Sequence, residues 1–228
     1  MRIKGTFFVL LVLAVLLIFS GCDTNGSAGG PLFVEAVVET DDAGSTAASV
    51  MMSEGGLIGT PVTDATVTVN GTQLTYGGVL LFWGLYAGAI NPAVAAGESV
   101  TLEIQRGSVS ISATLQMPVK PMITAPAGGD QSEPVEVSWT WTPITDPDQF
   151  QITVDSDYRV GSEDYTGYAT GTTRSHSIPT GTFDTSKSEA YVEVSAINRT
   201  TSLGSDAAAG AEFDVGNTEK SPPFNPEP

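Results

Sequence analysis

Cysteine and histidine are almost missing from this chain of 228 residues, which has one of each. A single thiol forms no internal disulfide, and one Cys with one His cannot assemble the nitrogen and sulfur ligands of a zinc site. Basic residues are scarce too: 9 Lys plus Arg stand against 26 Asp plus Glu, for a formal charge of −17. That balance excludes nucleic acid as a partner, because neutralising phosphates takes clustered Lys and Arg. A bare anionic membrane surface would repel such a chain as well. Charged residues make up only 15%, whereas Gly (25) and Pro (14) are plentiful, the composition of a turn-rich β protein.

What is present begins with one long apolar run, Phe7 to Phe19, preceded by Arg2 and Lys4 and followed by Ser20, Gly21 and Cys22. This is the layout of an export signal. As a helix the run rises about 20 Å, short of the roughly 30 Å hydrocarbon core, which disfavours a permanent span. The ending Phe19-Ser20-Gly21-Cys22 resembles the lipobox of bacterial lipoproteins, with Phe19 in the place where Leu is usual. The resemblance implies cleavage after residue 21, a diacylglycerol thioether and an N-acyl chain on Cys22, and a protein anchored at the cell envelope, facing periplasm or exterior. Several acyl chains together hold a protein on a bilayer where one does not. Asp23 resembles the inner-membrane retention signal of enteric bacteria. Residues 22–31 lack apolar periodicity and read as a flexible tether. Loss of Arg2 and Lys4 leaves a mature chain with seven basic and 26 acidic residues, formal charge −19.

The remainder reads as all-β: two tandem immunoglobulin-like β-sandwich domains after the signal peptide. Over 32–118, Leu32 to Glu39 forms a first strand and Ala65 to Thr72 alternates at period two into an Asn70-Gly71 turn. Val100, Leu102 and Ile104 face one way; Gly107-Ser108 turns the chain into Val109 to Leu115. The phrase from Thr60 to Gly71 resembles the opening of carboxypeptidase-regulatory-like and transthyretin-like domains. Pro118-Val119-Lys120-Pro121 reads as a linker. Over 119–215, Val135, Val137, Trp139 and Trp141 share a face, as do Phe150, Ile152 and Val154, and Val192, Val194 and Ala196. Their order resembles a fibronectin type III or related immunoglobulin-like domain, with Ala190 where that family has its corner tyrosine and Tyr191 on the opposite face. Residues 216–228 read as a disordered tail.

Candidate sites are few. Val79 to Tyr86 is continuous and apolar: it reads either as a strand buried on both sides, or as an exposed patch built on Phe82, Trp83 and Tyr86. Val50-Met51-Met52 reads as core or loop filler. His176, the single base available to a Ser or Cys nucleophile, lies in a polar segment and reads as a solvated surface residue. Asp146, Asp148, Asp155 and Asp157 offer oxygen ligands to calcium, without the spacing of a twelve-residue calcium loop; solvated turn formers are the competing reading. Tyr158, Tyr165 and Tyr168, with Trp83 and Tyr86, could stack on sugar rings, or pack as ordinary strand and loop residues.

No cofactor follows beyond the lipid on Cys22. The leading expectation is a membrane-anchored, non-enzymatic structural or protein-interaction module; the alternative is a carbohydrate- or peptide-binding accessory lipoprotein using the loop aromatics.

Overall fold

Period-two alternation, broken every few residues by Gly, Pro, Asn and Asp, leaves no amphipathic helical stretch, and strands account for the regular structure of the described chain. A computed structural model describes residues 30–142, 145–155, 165–183 and 189–227. The signal segment, Cys22 and the tether up to residue 29 lie outside the described residues, as do Asp157 and Tyr158.

The first half supplies β1 (Leu32–Thr40), β2 (Thr46–Glu54), β3 (Thr60–Pro61), β4 (Thr66–Val69), β5 (Thr72–Gln73), β6 (Thr75–Leu80), β7 (Trp83–Ile90), β8 (Ser99–Arg106) and β9 (Val109–Gln116). Sheet order β1-β2-β7-β6 packs face to face on β5-β4-β8-β9. Inward residues of both sheets, among them Val34, Val38, Val50, Tyr86, Leu102 and Ile111, form one core. The Asn70-Gly71 turn joins β4 to β5 with φ of 47° and 76°, the left-handed pair that a two-residue hairpin demands. Gly107, at φ 59°, turns β8 into β9 as its sequence implies.

The second half supplies β10 (Met122–Ala125), β11 (Gly129–Ser132), β12 (Val135–Thr140), β13 (Gln149–Asp155), β14 (Tyr165–Thr170), β15 (Ser175–Ile178), β16 (Tyr191–Thr200), β17 (Glu212–Lys220) and β18 (Phe224–Glu227). Sheet order β10-β12-β15 faces β14-β13-β16 across a second core of Val137, Trp139, Phe150, Ile152, Val192 and Val194. The alternation read from the sequence therefore sets which residues are inside.

Two expectations need correction. Within the expected tail 216–228, the described residues 216–227 are not free: β17 runs to Lys220, β18 pairs in parallel with β11, and Phe224 is 1% exposed within the second core. The division into 32–118 and 119–215 is also crossed by the chain. β17 lies between β16 and β1, antiparallel to one and parallel to the other, so a single nine-stranded sheet spans both halves. Phe213 and Val215 of β17, with Leu203 and Ala211, belong to the first core. The proline-flanked linker is fastened to this strand: Asn217 Nδ2 donates to Pro118 O (3.1 Å), and Lys120 pairs with Glu219 (2.5 Å). The part of β17 read as tail, Gly216 to Lys220, has no apolar side chain and so no alternation to mark it as a strand.

Candidate functional site

The run Val79 to Tyr86 is neither of the two things expected of it. It is a hairpin, with β6 ending at Leu80, β7 starting at Trp83, and Leu81-Phe82 at the turn. Trp83 and Tyr86 are buried on opposite faces of β7 (6% and 2% exposed), Tyr86 in the first core and Trp83 outside it, so neither contributes a surface patch. The Tyr86 hydroxyl accepts from Ala65 N at 3.0 Å, and burial pushes its pKa up. Leu81 and Phe82 point out, at 70% and 48% exposure, with Val79 beside them at 56%.

A second loop comes to the same end of the sheet. Because β2 pairs with β7 (Met52 opposite Gly84), residues 55–59 after β2 lie beside the start of β7. The Trp83 indole donates to Leu57 O at 2.7 Å and ties the loop to the hairpin. Ser53 Oγ donates to Gly56 O at 2.5 Å. Glycine is required here: a Cβ on Gly84 would sit 1.7 Å from Val62 O, and one on Gly59 2.1 Å from Glu54 O. The result is a braced loop that presents Ile58 at 69% exposure at the end of the sheet that carries Leu81 and Phe82. Leu81 has φ 54°, a conformation that costs a branched L-residue about 1–2 kcal/mol. A large apolar side chain at an exposed, strained turn position adds nothing to the core.

The same end receives the start of the described chain. Leu32 at the head of β1 lies opposite Glu54, and Gly30 N donates to Glu54 Oε1 at 3.3 Å. Arg106 joins Glu54 (2.7 Å) to Asp64 (2.6 Å), so the ionic groups flanking the apolar tip are paired with one another. A signal for this site was available in the sequence: residues 65–97 contain no Asp, Glu, Lys or Arg.

The other candidates are dispersed. Tyr165 faces inward and its hydroxyl meets His176 Nε2 at 2.6 Å, so His176 is half-buried between the sheets, contrary to the solvated residue expected. Tyr168 lies on the opposite face of β14, 54% exposed. Asp148 accepts from Arg199 N at 2.7 Å and Asp146 stands 3.9 Å from Arg174, roles that fit loop acids. Asp155 pairs by its backbone with Tyr191 at the end of β13. Among the described residues no three His, Cys, Asp or Glu side chains gather as metal ligands. A polar depression of about 200 Å³ over Thr66, Thr68 and Glu103 is smaller than the roughly 300–1,000 Å³ usual for small-molecule sites.

An unexpected acidic cluster lies at the β1–β17 seam. Arg199 clamps Asp214 through Nε (2.7 Å) and Nη2 (2.5 Å) and reaches Glu212 at 3.5 Å. Glu35, 7% exposed and opposite Glu212, has its pKa raised to about 7 by burial first and by Glu212 and Asp214 next. Glu39, which accepts from Thr218, is likewise pushed up to about 7, chiefly by burial.

No family model matches the chain. The curated proteins contain no significant match either. Among solved structures it is similar to the FN1–FN3 domains of chicken CNTN1, at 11% identity and TM-score 0.28, over 82% of this chain and 67% of that one. It is similar also to the Yersinia pseudotuberculosis adhesin InvE, at 13% identity and TM-score 0.27, over 85% of this chain and 61% of that one. Likenesses of this size say nothing about a site, and the architecture rests on the strand pairing above.

Proposed function

We propose that this chain is an exported lipoprotein, held at the cell envelope by acyl chains on Cys22, and that it works as a non-enzymatic interaction module. The observation that carries the reading is the braced apolar tip of Ile58, Val79, Leu81 and Phe82. Exposed apolar side chains gathered at one end, which the fold itself does not use, mark a contact site. Here it is held in place by the Trp83 to Leu57 hydrogen bond and by glycines that admit no side chain. The single nine-stranded sheet supports the same reading, since it makes both halves one platform behind that tip. The alternative, glycan or peptide binding through aromatics, loses Trp83 and Tyr86 to the interior.

Mass spectrometry of the membrane-extracted protein tests the anchor. The expected N-terminal peptide begins at Cys22 and carries the acyl groups. A mature chain that begins elsewhere and retains a free thiol overturns it. For the alternative, a glycan array on wild type and Tyr168→Ala is expected to retain no glycan; a ligand lost on that substitution would favour carbohydrate binding.

A further inference from the structure

The tip and the chain's point of entry share one end of the molecule, and this placement suggests what the tip touches. We infer that Ile58, Leu81 and Phe82 dock into the lipid bilayer to which the protein is anchored, so that the first sandwich stands on the membrane by its hairpin end. The inference rests on the lipoprotein reading above.

Three observations carry it. First, Gly30 bonds to Glu54, at the base of the loop that presents Ile58. Seven residues separate Gly30 from Cys22, and the eight Cα–Cα steps span at most about 28 Å at full extension. An acylated Cys22 therefore makes this end the one held nearest the bilayer. Second, the opposite end lies about 30 Å further away, since β1 crosses the sheet in nine residues. β17 continues past the end of β1, from Asn217 opposite Thr40 to Lys220 opposite Glu193, which sets the second sandwich toward that far end. Third, the tip is chemically suited to hydrocarbon and headgroup: segments 55–63 and 74–97 carry no charged side chain, in a mature chain of formal charge −19. The nearest ionic groups leave a net negative charge: Arg106 pairs with both Glu54 and Asp64, and Asp206 lies by Leu32. Without unpaired cations the tip fits a zwitterionic surface, and anionic lipid would repel the acidic body behind it.

The test uses the full acylated protein reconstituted in phosphatidylcholine vesicles. Acylation blocks the natural thiol, so Ile58→Cys and, at the far end, Ala43→Cys each provide one site for an environment-sensitive fluorophore; both positions are exposed. The expected result is a blue-shifted probe at 58 that lipid-borne nitroxides quench strongly, and a water-like, unquenched probe at 43. Adding Leu81→Ser and Phe82→Ser is expected to remove most of the quenching at 58, and one third of anionic lipid to weaken it. A probe at 58 as wet as the one at 43, with Cys22 acylated, overturns the docking and leaves the anchor intact. A blue shift without nitroxide quenching means that protein covers the tip, and overturns it as well. A free Cys22 thiol in the same sample removes the anchor and the docking together.

Discussion

Glu35→Gln should stabilise the protein at neutral and alkaline pH and leave it unchanged in acid. In the native state the Glu35 carboxyl releases its proton near pH 7, against 4.5 for the unreacted group in an open chain. Burial on the β1–β17 seam disfavours its charge, and Glu212 and Asp214 add repulsion that Arg199 offsets only in part. Between pH 4.5 and 7 the unfolded chain has already lost this proton and the native state has not, so stability falls as pH rises through that window. The gap of about 2.5 pH units corresponds to about 3 kcal/mol at 1.36 kcal/mol per unit, fully expressed above pH 7. Glutamine keeps the shape without the charge. For a chain of this length the gain converts to a rise in thermal midpoint on the order of 6–12 °C at pH 8. Circular dichroism melts of wild type and variant at pH 4.5 and pH 8 provide the measurement. An equal gain at both pH values would mean that packing is responsible, and no gain at pH 8 would show that the seam leaves the carboxylate solvated; either result refutes the argument.

Glu39→Gln should show the same sign and the same pH window, because burial again dominates the shift to about 7; its melts at the two pH values check this. Phe224→Ala should cost about 3–5 kcal/mol, measured by urea denaturation, since Phe224 is 1% exposed in the second core and packs edge-on against Phe183. Gly84→Ala should prevent correct folding of the first sandwich, because its Cβ has backbone within 1.7 Å; a native-like melt would refute the close approach of β7 to Val62. Leu81→Gly should raise stability by about 1 kcal/mol in the same assay by relieving the positive φ.

Much of the two cores was legible. Val100, Leu102 and Ile104, or Val192, Val194 and Ala196, declare their inward face by alternation alone, since one residue's displacement flips a strand's whole face. The Asn70-Gly71 and Gly107-Ser108 turns were legible because left-handed backbone restricts the residue types that fit. The apolar tip was not. Within Val79 to Tyr86 the composition is uniform, so no local pattern tells that Leu81 and Phe82 turn outward while Trp83 and Tyr86 turn in. That outcome depends on Gly84 passing against Val62 and on the Trp83 bond to Leu57, both contacts between separate strands and loops. The place of His176 is hidden for a similar reason: its polar neighbours point to solvent, and only the approach of β14 supplies Tyr165.

The sequence by itself determined the alternating core strands, their inward faces, the Gly-bearing tight turns and the acidic balance, because each follows from side chains a few residues apart. Tertiary structure alone decided that β17 joins β1 in parallel, across almost the whole length of the chain. Parallel pairing needs no turn of its own and leaves no local mark. The same pairing brings Glu35, Glu212, Asp214 and Arg199 together, and burial beside those charges is what moves an ordinary carboxyl to about 7. Likewise, which end of the first sandwich carries both the apolar tip and the incoming chain is a property of sheet order, and sheet order is settled by long-range packing.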